Sequence, residues 1–429
     1  MAIPPWTYGL LRRGIVDVAK KASETETVER LKKQASELLQ DLPEAAAKGI
    51  DAVLKKTDLG KKNDGSQSSQ KKPFEGPIIN ASGTLFHPLG TGSSMPTSAI
   101  ELCKELLASD ISSSMINQIN FQDRIQKLIP EDIQHSICIT HNITSAITLL
   151  ATRNPSQTIL IDKTQQEVDI NGLPLSNFLE RLTNTESLDK SDGANTARDT
   201  REAHSEFVVQ TAPSSGSSQR VVGDQVARIL LAETCSLEEN PPHRIPSCWS
   251  LLRGDFDWMI LPGNTIAGGP DCGLIIGPKG EVDQLRSHHL WPCCEASEIT
   301  LLMMLVTMES GRRDPDSIPV HALLRTSIDN IRSRTERLAT RIGCNEKIVE
   351  CQTTEGEARL RESQDWTLPS QQLRLRHQSM EAEKWCRLLS EDYPSILSSI
   401  EDHKLCIDLR WVHPADDAKL GEILGGEIR

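Results

Sequence analysis

The sequence predicts an α/β protein in which a large domain is built on a mainly parallel sheet. Short apolar segments that read as strands alternate with amphipathic segments that read as helices, such as Thr144–Thr152. This alternation is typical of parallel sheets covered by helices on both faces. The strand candidates are Ser136–Thr140, Thr158–Asp162, Phe207–Gln210, Ile229–Ala232, Trp258–Leu261 and Cys272–Gly277.

The chain of 429 residues is too long for one ordinary core, and its composition divides it into four parts. Residues 1–58 show apolar positions at helical spacing and predict an N-terminal helical segment. Residues 59–76 are polar and predict a flexible linker. Residues 77–310 form the large domain, interrupted at 184–206 by a polar stretch that we interpret as a mobile loop. Residues 311–429 predict a small C-terminal α/β domain that begins with a long helix, about 317–342.

Composition limits the classes of protein that the chain can represent. No apolar run approaches the roughly 18 residues of a membrane span, and the N-terminus lacks the pattern of a secretory signal. The 11 cysteines include no Cys-x-x-Cys pair and no Cys/His group at zinc spacing. We therefore expect free thiols, no metal site, no membrane association and a cytoplasmic location.

Charge is distributed unevenly along the chain. Residues 1–74 carry 14 Lys/Arg and 10 Asp/Glu, a net charge of +4, so with a total of −13 the remainder carries −17. Affinity for nucleic acid depends on clustered cations that neutralise phosphates. Any tRNA contact is therefore expected to use the N-terminal segment, although a solvated helical surface explains the same charges.

Four sequence stretches carry a family resemblance in the right order and spacing. They are Ile78–His87, Thr140–Leu150, Gly263–Gly277 and Ser399–Arg410. Together they resemble the opening loop, the asparagine turn into a helix, the cofactor-lysine hairpin and the closing strand pair of bacterial selenocysteine synthase (L-seryl-tRNA(Sec) selenium transferase). This resemblance implies the aspartate-aminotransferase-type fold (fold type I) of pyridoxal-phosphate (PLP) enzymes, and a homo-oligomer that is at least a dimer.

The resemblance also implies a site, and the site departs from the family pattern. When Gly268-Gly269-Pro270 is set on the family's Gly-Gly-Pro, Thr265 stands where the Schiff-base lysine belongs and Asn264 where the preceding aspartate belongs. A threonine hydroxyl cannot condense to an imine, so the catalytic position is predicted to be inactive. Lys279 lies beyond the following strand and is a weak substitute.

The other predicted cofactor contacts are partly retained. The family's pyridine-binding aspartate is matched by Leu231, and Glu233 lies two residues further on the same strand face as a shifted replacement. His141 is a candidate to stack on a cofactor ring, although a lone histidine before a helix more often has a structural role. Asn142, Thr144 and Ser145 begin a predicted helix whose amides favour a phosphate, although an ordinary helix cap is the commoner explanation of such residues. The anion-binding arginines of the family are absent, and Glu295 stands at one of their positions.

Three functional hypotheses follow. The leading one is a degenerate selenocysteine synthase homologue with impaired PLP chemistry and a binding or assembly role. The alternative is an active PLP-dependent transferase that converts seryl-tRNA(Sec) to selenocysteinyl-tRNA(Sec). A third is other chemistry at the adjacent pair Cys293-Cys294, which lacks a recognisable base.

Overall fold

The computed structural model describes residues 77–90, 92–108, 119–154, 158–162, 169–170, 173–188, 204–210, 226–254, 256–361 and 366–426. All of them belong to one structural unit, Phe74–Arg429. The helical segment predicted for residues 1–58 and the linker predicted for 59–76 lie outside the described residues, as does the middle of the predicted loop 184–206.

Strands and helices alternate through most of the described chain. The strands are β1 (Ile78–Asn80), β2 (His135–Thr140), β3 (Thr158–Asp162), β4 (Asp169–Ile170), β5 (Leu173–Pro174), β6 (Asn184–Leu188), β7 (His204–Gln210), β8 (Ala227–Ala232), β9 (Trp258–Pro262), β10 (Gly273–Pro278), β11 (Ile348–Arg359), β12 (Thr367–His377), β13 (Ser395–Leu397), β14 (Ser399–Glu401) and β15 (Lys404–Asp408). The helices are α1 (Thr97–Leu107), α2 (Phe121–Gln126), α3 (Ile143–Thr152), α4 (Leu175–Glu180), α5 (Cys248–Leu252), α6 (Lys279–Arg286), α7 (Trp291–Cys294), α8 (Glu298–Arg313), α9 (Pro319–Arg325), α10 (Ile328–Ile342), α11 (Ala382–Glu391) and α12 (Asp417–Gly425).

A seven-stranded sheet of order β2-β10-β9-β8-β7-β3-β6 forms the larger part of the fold. Strands β9, β8, β7, β3 and β6 run parallel, and β10 is antiparallel to both of its neighbours. The interior strand β9 is buried along its whole length, because helices cover both faces of the sheet. The predicted fold class is confirmed.

Successive residues of each strand point to opposite faces and create two separate cores. On one face, which we call the α3 face, Leu231 and Ile260 pack in the same apolar cluster as Leu149 of α3. On the other, the α8 face, Leu261 packs in one cluster with Met304 of α8. The two clusters hold the sheet between α3 and α8 and thereby fix the positions of the loops at its edges.

A four-stranded antiparallel sheet of order β11-β12-β15-β14 follows in the C-terminal part of the chain. One of its faces packs on α10 and α11 through an apolar cluster that includes Leu373, Trp385 and Ile407. Strand β1 pairs in parallel with β13, which joins the first described residues to this part of the molecule. The boundary predicted between residues 310 and 311 falls within α8, and the division into two domains stays a prediction.

Two predicted elements are wrong. The stretch 184–206 is not all loop, since Asn184–Leu188 forms strand β6 parallel to β3 and strand β7 begins at His204. Strand β6 lies at an edge of the sheet, where polar residues are tolerated. The single helix predicted for about 317–342 is two helices, because α9 ends before Thr326 and Ser327 caps α10 by accepting a hydrogen bond from the Asn330 amide at 3.3 Å.

No helix among the residues that the structure describes is long and apolar enough to cross a membrane.

Candidate functional site

The predicted site residues follow strands that end at one edge of the seven-stranded sheet. Gly273 of β10 pairs with both Thr140 of β2 and Pro262 of β9, so these two strands end side by side. Leu231 of β8 pairs with Ile260 of β9, which places the end of β8 at the same edge. In open α/β sheets, ligands bind outside the carboxyl ends of strands. We call this the carboxyl edge, and all seven predicted residues follow strands that end there.

Thr265 lies in the connection between β9 and β10, which form the predicted hairpin. Its side chain is buried, and its hydroxyl donates a hydrogen bond to the Pro262 carbonyl at 3.1 Å. Its own carbonyl accepts from the Gly268 amide at 3.1 Å. Gly268 has φ +69°, and a Cβ there would lie 2.3 Å from Cγ2 of Ile318, so the turn requires glycine. Thr265 is therefore a satisfied structural residue in a tight turn.

A segment that sequence reasoning missed covers the backbone of this turn. The amide of Ser93 donates to the Asn264 carbonyl at 2.7 Å, and its hydroxyl donates to the Thr265 carbonyl at 2.8 Å. Gly92 has φ +116°, and a Cβ there would lie 2.3 Å from the Asn264 carbonyl oxygen. The loop after β1 thus packs directly against positions 264 and 265. The glycines at 90 and 92 were the signal that could have indicated such a close approach.

The helix α3 begins at the carboxyl edge with a conventional cap. The side-chain oxygen of Asn142 accepts a hydrogen bond from the Ser145 amide at 2.8 Å. The amide of His141 donates to the Cys294 carbonyl at 2.7 Å, and the His141 side chain is exposed. The carbonyl of Thr144 accepts from the Thr148 hydroxyl at 2.8 Å. The Asn142 side chain thus satisfies one of the amides that would otherwise be free to receive a phosphate.

Glu233, one residue past the end of β8, is paired with a cation from elsewhere in the chain. Its Oε2 lies 2.9 Å from Nη2 of Arg361, and the guanidinium lies 5.8 Å from the centroid of the Phe86 ring. Burial raises the pKa of Glu233 above its ordinary value, while the charge of Arg361 acts in the opposite direction. The carboxylate that was predicted to receive a pyridine nitrogen is therefore engaged by an internal guanidinium.

These residues do not fit a lysine-bound PLP. The group requires an amine for the imine, an acid for its ring nitrogen and donors for its phosphate. Position 265 supplies no amine, and Glu233 already has a partner. Lys279 follows Pro278, which pairs with the first residue of β2. Lys279 therefore lies at the opposite end of the strands from the carboxyl edge. Because β2 spans six residues, this separates Lys279 from the carboxyl edge by about 20 Å. Lys163 and Lys190 lie outside the described residues.

Cys294 offers no activated nucleophile. Cys294 is buried, and burial together with the neighbouring Cys293 raises the pKa of its thiol, although a hydrogen bond with Ser145 acts to lower it. A raised pKa disfavours the thiolate that nucleophilic chemistry needs. Within the described ranges, no group of three or more His, Cys, Asp or Glu side chains is arranged to hold a metal ion.

Comparison with known proteins identifies relatives. A family model described as L-seryl-tRNA selenium transferase matches residues 236–413. The L-seryl-tRNA(Sec) selenium transferase of Aliarcobacter butzleri is 25% identical over 182 residues, which are 42% of this chain and 39% of that protein. The enzyme of the same name from Carboxydothermus hydrogenoformans is 26% identical over 171 residues, 39% of this chain and 37% of that protein. The matches thus span about two fifths of the relatives' length.

The solved structure of D-glucosaminate-6-phosphate ammonia-lyase shares the fold. It aligns with a TM-score of 0.55 and 13% identity over 82% of this chain and 95% of that one. The predicted resemblance to the selenium transferases is confirmed. The family match includes Asn264 and Thr265, whereas Glu233 and residues 141–145 precede it.

Proposed function

We propose that this relative of the L-seryl-tRNA(Sec) selenium transferases keeps the PLP-transferase scaffold but lacks lysine-dependent PLP chemistry, and that it acts through binding or assembly. The observation that carries the proposal is Thr265. The resemblance matches it to the family's cofactor lysine, and its hydroxyl donates a hydrogen bond to the Pro262 carbonyl of its own turn. A lost amine at this position removes the covalent anchor of the cofactor.

The remaining anchors support the same proposal. The Glu233 carboxylate, the one acid predicted to meet the pyridine nitrogen, is held by Arg361. The Asn142 side chain caps α3. Glu295, at a family arginine position, adds negative charge where a selenium donor or a tRNA phosphate would require a cation. Each of these features weakens anion or cofactor binding, and together they favour a protein that does not carry out the transfer.

The alternative is an active PLP-dependent selenium transferase acting on seryl-tRNA(Sec). One observation favours it: an acid, Glu233, still stands at the end of β8, and displacement of Arg361 would free it. This alternative requires an amine from a lysine other than Lys279.

We further propose a homo-oligomer, since the resemblance implies an active-site cleft completed by a second subunit, and a cytoplasmic location. Light scattering that gives a monomer mass at micromolar concentration would contradict the first of these.

The substitution Thr265→Lys, together with Asn264→Asp, tests whether position 265 is what the site lacks. After incubation with PLP and removal of the unbound cofactor, we expect the unmodified protein to be colourless and the double variant to keep the yellow absorbance of a PLP imine. The matched control is Thr340→Lys on the exposed face of α10, which should stay colourless. An imine spectrum in the unmodified protein would replace the proposal with the active transferase.

A further inference from the structure

A cavity of about 520 Å³ lies on the α8 face of the seven-stranded sheet, away from the helix that begins at the predicted cofactor site. It is bounded by α8, by α9 and by the segment that follows β8. Apolar side chains form one wall, and these include Trp249, Met308 and Ile318. Its volume falls within the range of pockets that hold small organic molecules.

The acids that line this cavity are already neutralised by the protein. Glu238 Oε1 lies 2.9 Å from Nδ1 of His321, and Glu238 Oε2 pairs with Arg325. Although burial acts to raise it, the neighbouring His321 and Arg325 side chains lower the pKa of Glu238 below its ordinary value. Glu239 Oε1 lies 3.2 Å from Nη2 of Arg253. Neither carboxylate is therefore free to receive a cationic ligand.

The two arginines that line the cavity retain unused hydrogen-bond donors. Nη1 of Arg312 donates to the Leu128 carbonyl at 3.1 Å, and no described carboxylate lies within ion-pair distance of Arg312. Nη1 of Arg325 is buried, and no described group forms a hydrogen bond with it, although Oδ1 of Asp316 lies 3.6 Å away. Arg312 has no described carboxylate partner and Nη1 of Arg325 has no described hydrogen-bond acceptor, so these two guanidinium groups retain donors for an anion.

We propose that this cavity binds a small carboxylic acid. Its carboxylate would contact the guanidinium groups of Arg312 and Arg325, and its apolar body would lie against Trp249, Met308 and Ile318. A guanidinium matches the geometry of a carboxylate with two parallel hydrogen bonds. A phosphate dianion fits less well, because its second charge would stand near Glu238 and Glu239. The cavity borders the turn that holds Thr265, because Ala267 of that turn lines it, but none of the seven predicted cofactor-site residues does.

Phenylacetate is a suitable probe, because it joins one carboxylate to an apolar ring of the required size. Isothermal titration calorimetry on the full chain should show saturable binding of phenylacetate. Phenylacetamide, which has the same shape without the charge, should bind at least tenfold more weakly. Inorganic phosphate should also bind more weakly than phenylacetate.

The variant Arg312→Gln should weaken phenylacetate binding roughly tenfold or more, the loss expected for a charge-assisted hydrogen bond. Because Arg312 is exposed, the thermal melting temperature of this variant should equal that of the unmodified protein. The matched control is Arg332→Gln, since Arg332 pairs with Asp329 on α10 outside the cavity. Absence of saturable binding, equal affinity for the amide, stronger binding of phosphate or an unchanged affinity in the Arg312 variant would each overturn the proposal.

Discussion

The ion pair between Glu233 and Arg361 decides whether an acid is available at the carboxyl edge, and Arg361→Met removes it. The pair is 2.9 Å long, with 17% of the Glu233 side chain and 36% of the Arg361 side chain exposed. Exposed pairs contribute about 0.2–1 kcal/mol, whereas breaking a buried pair costs about 3–5 kcal/mol. Because Arg361 is partly solvated, we expect the free energy of unfolding to fall by about 1–2 kcal/mol at pH 7.

The loss should depend on pH in a direction fixed by Glu233. Burial raises its pKa in the folded state, and removing the opposing charge of Arg361 raises it further. A carboxyl group whose folded pKa exceeds its unfolded value contributes stability at low pH that is lost as pH rises through the folded pKa. Chemical denaturation of Arg361→Met should therefore show a larger loss of stability at pH 8 than at pH 5.

The variant Glu233→Gln supplies the control. In that background, Arg361→Met should produce a smaller loss that does not change between pH 5 and pH 8. Equal losses at both pH values in the single variant, or the same loss in both backgrounds, would refute the pairing and leave Glu233 free for a ligand.

Three further predictions concern stability. Arg228→Met should lower the free energy of unfolding by about 3–5 kcal/mol in urea denaturation, since it leaves Glu206, 2.7 Å away, as a buried unpaired charge; adding Glu206→Leu should recover most of the loss. Burial raises the pKa of Asp408, so its contribution to stability should fall as pH rises from about 4 through its folded pKa. Melting curves from pH 4 to pH 9 should show that Asp408→Asn removes this contribution to the pH dependence. Asn142→Ala should cost about 0.5–2 kcal/mol by removing the cap on the Ser145 amide, and an unchanged melting temperature would contradict that role.

The central strands were predictable because burial on both faces leaves a continuous apolar run. Thr158–Asp162 was predicted with its observed bounds, and Trp258–Leu261 ends one residue early. The edge strands β6 and β11 were not predicted. Each pairs with a neighbouring strand on one side only, so polar residues such as those of Ile348–Arg359 are tolerated there. The alternation of apolar and polar residues is therefore a weaker signal for an edge strand than for an interior strand.

The site was predictable only in part, for a related reason. Strand ends and glycine-containing turns are local features, so Thr265 and Glu233 could each be placed just after a strand, and the family resemblance implied that they share a site. The partners that determine what these residues do come from distant parts of the chain. Arg361 is 128 residues from Glu233, and Ser93 is 172 residues from Thr265. A local pattern such as the glycines at 90 and 92 can indicate a close approach, but it does not identify the partner.

Borohydride trapping tests the central claim most directly. The full chain is incubated with PLP, reduced and digested, and each lysine-containing peptide is examined by mass spectrometry, including those with Lys163 and Lys190. The absence of an amine at position 265 predicts no stoichiometric phosphopyridoxyl adduct on any lysine. One adduct per chain on a single lysine would contradict the account and support an active PLP-dependent transferase.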